Sequence, residues 1–244
     1  MAQFVNDTFT DGDATAITSH TGETGATWTK HGVATNTTAP TVRSNRLRCD
    51  DTGAVNAIYY ASGTPASANY TVSLDWITGS GGAQTGDIVG PLGRMATGTT
   101  DFYGALYLQT AGGIRLYKFV AGTGTVIVAA VTFTPASSAT YRITLDMQGT
   151  TIAGRIQRAS DNNWLNSSGS WVSGQTNFGS VTDSSISAAG RAGFWGHGEN
   201  ANDGAKFTFD NFSADDVVSG TTAPISVLVP KQLLALSSAT FRSV

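Results

Sequence analysis

The chain is poor in what helical and cross-linked proteins need. It has one cysteine, Cys49, so no internal disulfide framework can form, and the residue reads as a small buried hydrophobe. Glutamate occurs only as Glu23 and Glu199. Lysine and leucine are scarce as well. Helix surfaces draw on Glu, Lys, Gln and Arg, so the deficit argues against an α-helical body. The net charge is −3, and the basic residues are scattered, which excludes the phosphate footprint of a nucleic-acid-binding surface. No apolar run approaches the ~20 residues of a membrane span. The opening MAQFVNDTFTDGD lacks the basic segment and apolar run of a secretory signal, so the expected place of synthesis is the cytoplasm. Gly-x-Ser-x-Gly, His-Glu-x-x-His, phosphate-loop and Cys-x-x-Cys patterns are missing too.

What the chain does have is Thr, Ser, Gly and Ala, with enough Val, Ile, Tyr and Phe to pave pleated surfaces. In Ala68–Ile77, Tyr70, Val72, Leu74 and Trp76 alternate with Thr71, Ser73 and Asp75. In Thr140–Gln148, Tyr141, Ile143, Leu145 and Met147 alternate with Arg142, Thr144 and Asp146. Period 2 with one apolar face marks half-buried antiparallel strands. Gln148-Gly149-Thr150, Thr110-Ala111-Gly112-Gly113 and Ala121-Gly122-Thr123-Gly124 punctuate hairpins, glycine supplying the positive φ of tight turns. The expected fold is all-β: a two-sheet antiparallel jelly-roll sandwich over residues 1–218. Residues 219–244 form a linker and apolar C-terminal arm, which either packs on its own domain or docks on a neighbour. Trp28 and Trp76 are expected in the core.

The order of segments resembles the concanavalin A-like lectin/glucanase superfamily, the laminin-G-type jelly roll. The residues that carry the resemblance are Phe4, Asp7 and Phe9 at the start, then Trp28 and a short strand Asn45–Cys49. A strand ending in Gly-Pro-Leu-Gly-Arg (Gly90 to Arg94) follows, then Phe102–Gln109, Ile114–Lys118 and Tyr141–Ile152. Last come Gly190–Phe194 and Phe209–Phe212. The resemblance implies two sheets, one with a concave face, and a calcium ion held by Asp7 and Asp210. It also implies where a glucanase would carry its acids, as Glu-x-Asp-x-Glu or Glu-x-Asp-x-x-Glu on one strand. Neither glutamate here sits in such a motif. Glycoside hydrolysis needs two carboxyl groups flanking one bond, so the expectation is a protein that is not an enzyme.

A lectin site combines an aromatic platform with polar groups. Trp164 and Trp171 lie in polar sequence, where a large ring either caps the core or offers a sugar a stacking face. Trp195 and His197 are further candidates, as are Tyr103 and Tyr107, provided their shared face is the concave one. The segments GRAGF and KFTFDNF read as the two strands of a closing hairpin joined by the loop GHGENANDG. The missing signal, the Cys-poor Thr/Ser/Gly/Ala-rich composition and the apolar arm together resemble a bacteriophage structural protein. The expectation is therefore a virion protein decorating head or tail. Its arm (219–244) would bind other virion proteins or its own copies, and its sandwich would face a cell-surface glycan. A separate carbohydrate-binding module or lectin is the alternative, and a divergent glycoside hydrolase the third reading.

Overall fold

The computed structural model describes residues 2–49, 55–84, 86–197 and 206–217. The C-terminal arm, Glu199 and most of GHGENANDG lie outside them. Among the described residues there is no α-helix, only strands and two short 3-10 turns. No helix is long and apolar enough to cross a membrane. The strands form two antiparallel sheets. One has seven strands in the order β10 (Thr123–Thr132), β9 (Gly113–Val120), β8 (Phe102–Leu108), β7 (Ile88–Met95), β16 (Arg191–His197), β5 (Ala57–Ala61), β2 (Trp28–Lys30). The other has ten. Its main path is β14 (Trp171–Val172), β13 (Asn163–Leu165), β12 (Thr151–Arg158), β11 (Thr140–Gln148), β6 (Tyr70–Ile77), β17 (Thr208–Asp216), β4 (Leu47–Arg48), β3 (Thr41–Val42). β1 (Gln3–Asp7) also pairs with β17, and β15 (Gly179–Thr182) with β12.

Alternation decides which side chains meet between the sheets. Tyr70, Val72, Leu74 and Trp76 of β6 are fully buried, and so are Ile143, Leu145 and Met147 of β11. They face Val89, Tyr103, Ala105 and Tyr107 of the other sheet in one continuous apolar cluster. Aromatic rings carry the layer. Trp28 stands edge-on to Phe212 with centroids 5.0 Å apart, Phe194 meets Phe209 at 5.2 Å and Trp76 meets Tyr107 at 4.7 Å. Burying such a ring stabilises the fold by roughly 2–3 kcal/mol. Cys49 is buried in this layer, as expected, and Trp28 and Trp76 are core residues.

The closing hairpin is corrected. GRAGF and KFTFDNF are both strand segments, but β16 lies in the seven-stranded sheet and β17 in the ten-stranded one. Phe194 and Phe209 meet across the interior and do not sit side by side in one sheet.

Arg94, at the end of β7, ties one end of the sandwich together. Its side chain is 1% exposed and has carbonyl oxygens where a carboxylate would be usual. Nε donates to Ala68 O at 3.0 Å, Nη1 to Ile186 O at 2.8 Å and Nη2 to Gly149 O at 2.7 Å. The guanidinium also stands 5.9 Å from the Tyr103 ring centroid. Gly190 makes room for it: φ is +61° there, and a Cβ would lie 2.3 Å from Arg94 C. Three connections, the β11–β12 hairpin and two crossings between the sheets, are thereby held by one cation. Arg94→Met keeps the volume and leaves three carbonyls without this donor, that of Ile186 fully buried and the other two partly so, with a desolvation cost. The expected loss is roughly 3 kcal/mol, read as a lower urea midpoint at unchanged slope.

Candidate functional site

Asp7 closes β1 and is fully buried. Its Oδ1 accepts the Phe9 N–H at 2.7 Å and lies 2.8 Å from His20 Nε2. Its Oδ2 accepts the Trp28 indole N–H at 2.6 Å. Both oxygens are therefore taken by nitrogen-borne hydrogens. Asp210 faces the other way. Asp7 is in register with the core residue Phe212, whereas Asp210 is in register with Asp75 on the outer side of the sheet. Calcium takes six to eight oxygens, and these two carboxylates do not converge on one point. Among the described residues no group of three or more His, Cys, Asp or Glu is placed to hold a metal. The calcium expected at Asp7 and Asp210 is thus not met by the donors. A β-bulge between Asp210 and Ser213 turns the two carboxylates to opposite faces, and the Asp7 oxygens are already occupied.

Tyr103 and Tyr107 share a face, but it is the inner one, where they are 0% and 3% exposed. The Tyr103 hydroxyl donates to Asp183 Oδ1 at 2.6 Å and accepts the Ile186 N–H at 3.1 Å. Burial pushes both hydroxyls up to about 12. Their shared face is the core side and not a concave binding face, which corrects that expectation; Tyr107 reaches only the edge of a small hollow. The opposite face of the seven-stranded sheet is apolar. There Ile58, Leu92, Met95, Phe102 and Leu106 enclose Trp195, whose indole N–H donates to Asn56 Oδ1 at 3.0 Å. His197 Nδ1 lies 3.0 Å from the same oxygen. Trp195 and His197, 9% and 7% exposed, are brought together but turned into this cluster.

Trp164 and Trp171 are not in loops. They lie in β13 and β14, at the edge of the ten-stranded sheet, on opposite faces. Trp164 faces outward and heads a cross-strand row that continues through Gln157, Arg142, Asp75 and Asp210. Trp171 faces inward and is half-buried. Its ring is edge-on to Phe133 at 5.6 Å, lies 5.9 Å from Tyr141, and carries the Arg158 guanidinium 4.6 Å from its centroid.

Beside that cluster a cavity of about 530 Å³ opens, walled by Thr134, Ser138, Thr140, Tyr141, Arg158 and Ser160. One wall is the β10–β11 connection, and it is held in place. Ser138 N–H donates to Gly79 O at 3.0 Å, Thr78 N–H to Ala139 O at 3.0 Å, and the Thr78 hydroxyl to Ala136 O at 2.7 Å. The Tyr141 hydroxyl accepts the Ala136 N–H at 2.9 Å. A smaller hollow of about 260 Å³ lies along the same connection, against Tyr107 and Phe133. Another of about 260 Å³ sits on the outer face, with Asp146, Gln148, Asn177 and Ser180 in its walls. Sequence reasoning reached Trp171 but missed Arg158, Ser138, Thr140 and Ser160. Those residues look like ordinary strand ends and turns until the chain is folded.

The carboxylates that come nearest to a pair are Asp75 and Asp210, which are opposite neighbours on β6 and β17. Asp75 is held by Arg142 Nη1 at 3.3 Å and Asn211 Nδ2 at 2.8 Å. Asp210 Oδ1 accepts the Asn211 N–H at 2.8 Å. Burial raises the Asp210 carboxyl above its ordinary value, and the neighbouring Asp75 adds to this. The pair stands on the face of the sheet, and neither residue lines any of the three hollows.

Solved structures with a similar two-sheet fold include a carbohydrate binding module and a lumenal lectin-like domain. The carbohydrate binding module CBM66 from Bacillus subtilis superposes with a TM-score of 0.50 at 17% identity, over 78% of this chain and 95% of that one. The exoplasmic/lumenal domain of VIP36 in its Ca2+-bound form gives 0.54 at 9% identity, over 86% and 92%. Its Ca2+/Man3GlcNAc-bound form gives 0.55 at 8%, over 80% and 87%. At such identities the shared property is the architecture. No protein-family model matches the chain, and no curated protein does.

Burial raises the Asp7 carboxyl above its ordinary 3.8 and outweighs the hydrogen bonds from Trp28, His20 and Phe9, which act the other way. A raised folded value means that the protonated form favours folding. That contribution is complete below the unfolded value and is lost as pH rises through the folded one. The part of the stability due to Asp7 therefore declines as pH climbs above about 4. Urea midpoints measured across this range should show the decline in the native protein and a flatter profile in Asp7→Asn.

Proposed function

We propose that the chain is a glycan-binding β-sandwich without hydrolytic activity, and that it binds in the cavity bounded by Tyr141, Arg158 and the 134–140 connection. The observation that carries the reading is the composition of that cavity. Its walls offer four hydroxyl side chains, a tyrosine and one guanidinium, against a sheet edge stiffened by Trp171 and Phe133. Sugars present alternating hydroxyls and C–H faces, and such walls suit both. Hydrolysis would need two carboxyl groups across the bond, and no carboxylate lines the cavity. The fold shared with CBM66, a carbohydrate binding module by its printed name, supports the reading by analogy.

The Asp75–Asp210 pair favours a second reading, a divergent hydrolase. It stands on the outer sheet face, and among the described residues neither carboxylate lines one of the three hollows, so the binding reading is preferred. Both readings are separated by one set of assays. Ser160→Trp places an indole in the cavity from an exposed position. It should lower affinity for the bound glycan at least about ten-fold in calorimetry while the melting temperature holds. Release of reducing ends from polysaccharides should be nil. Turnover that disappears in Asp75→Asn would establish the hydrolase instead.

The same reading gives the apolar segment 219–244 the role of anchor, to virion proteins or to further copies of the chain. Its support is its sequence, which is richer in apolar residues than a segment left in water usually is. A single shallow site binds weakly, and displaying many copies raises avidity by roughly 10²–10⁴. A chain ending at residue 218 should remain folded and glycan-binding while losing assembly in sedimentation. Assembly that survives the truncation would remove the anchor from the reading.

A further inference from the structure

We infer that the glycan taken by the Tyr141–Arg158 cavity is an acidic one, bearing a carboxylate or a sulfate. This rests on the reading of that cavity as the glycan site and adds the class of ligand.

Among the described residues Arg158 is the one charged residue in the cavity wall. Its guanidinium is preset on two sides. Nε donates to Asp161 Oδ1 at 3.1 Å and Nη2 to Asp161 Oδ2, and the plane lies against Trp171 at 4.6 Å. Nη1 meets no acceptor among the described residues, so a fixed cation keeps one donor edge for something else. Trp171 and Asp161 also remove much of the rotamer freedom that an arginine would lose on binding.

A second donor points to the same chemistry. The Tyr141 hydroxyl accepts from Ala136 N–H, and its own proton meets no acceptor among the described residues. Tyr141 is 2% exposed, so that proton is offered from a position fixed by the core. Serine and threonine hydroxyls in the wall rotate and serve as either donor or acceptor. The two groups whose role is set, Arg158 Nη1 and Tyr141 Oη, are both donors. A neutral sugar hydroxyl asks for both donors and acceptors, whereas an anionic oxygen asks only for donors. The chain as a whole is negative, at −3, so attraction of an acid has to come from this local arrangement. It acts at contact range and is screened by salt.

Asp161 orients the guanidinium but also offsets its charge, and at low salt the charge effect is the larger, which makes the sign of two substitutions opposite. The probes are oligogalacturonate for the carboxylate, sulfated dextran oligosaccharide for the sulfate, and unmodified dextran oligosaccharide of matched length as the neutral arm. Binding is measured by calorimetry at low and high salt on the full chain. At least one acidic probe should bind roughly ten-fold tighter than the neutral one at low salt. Arg158→Gln should abolish that preference and Asp161→Asn should increase it, both at an unchanged melting temperature. Tyr141→Phe should weaken acidic probes more than neutral ones. Which acidic probe responds tells carboxylate from sulfate. Neutral and acidic probes binding alike, or a preference that survives Arg158→Gln, would overturn the inference while leaving glycan binding in place. No binding of any glycan would overturn both.

Discussion

A residue in a strand has two directions to face, and in a two-layer sandwich only one of them is the core. The aromatic layer of Trp28, Phe194, Phe209 and Phe212 at one end, and of Trp76, Tyr107 and Tyr141 at the other, takes the inner direction. Parity then assigns the neighbours, except across the bulge in β17, where Phe209 and Phe212 both turn inward. Tyr103 follows Tyr107 inward, Trp195 is left outside beside Phe102, and Asp75 and Asp210 become partners on the open face. The cavity at the sheet edge exists because this layer ends there, where Trp171 and Phe133 stop the core and the 134–140 connection has to pass around them.

A chain with few charges handles each buried one individually. Asp7 receives three nitrogen donors, and Arg94 gives its hydrogens to three carbonyls. Lys118 Nζ lies 2.6 Å from Asp183 Oδ2, and with the Tyr103 hydroxyl it helps hold the Asp183 carboxyl well below its ordinary range, against the opposing effect of burial. These arrangements join segments distant in sequence, which is where a sandwich needs ties beyond its ladders. They also show why the Asp7 position offers a cation so little: its coordination is already complete, with hydrogen in place of metal.

The cavity differs from these sites in leaving donors unspent. In the tied sites each donor finds a carbonyl or carboxylate, whereas Arg158 Nη1 and the Tyr141 proton find none among the described residues. Unspent donors on rigid supports beside an open cavity are what a binding site requires.

Composition and period 2 by themselves determined the all-β class, the strands β6 and β11 to within a residue or two, the hairpin glycines and the core placement of Trp28 and Trp76. Those properties are local: propensity, alternation and turn chemistry act over a few residues. Sequence could not say which face of β8 was inner, because Phe102/Gly104/Leu106 and Tyr103/Ala105/Tyr107 are both apolar enough to be buried. It could not separate β16 from β17 into different sheets, since a connection of that length suits a hairpin or a crossover equally. Nor could it assemble the cavity, whose walls come from β10–β11, β11 and the end of β12. Only tertiary packing decides which distant residues share a space, because that depends on the register and order of whole sheets rather than on any one segment.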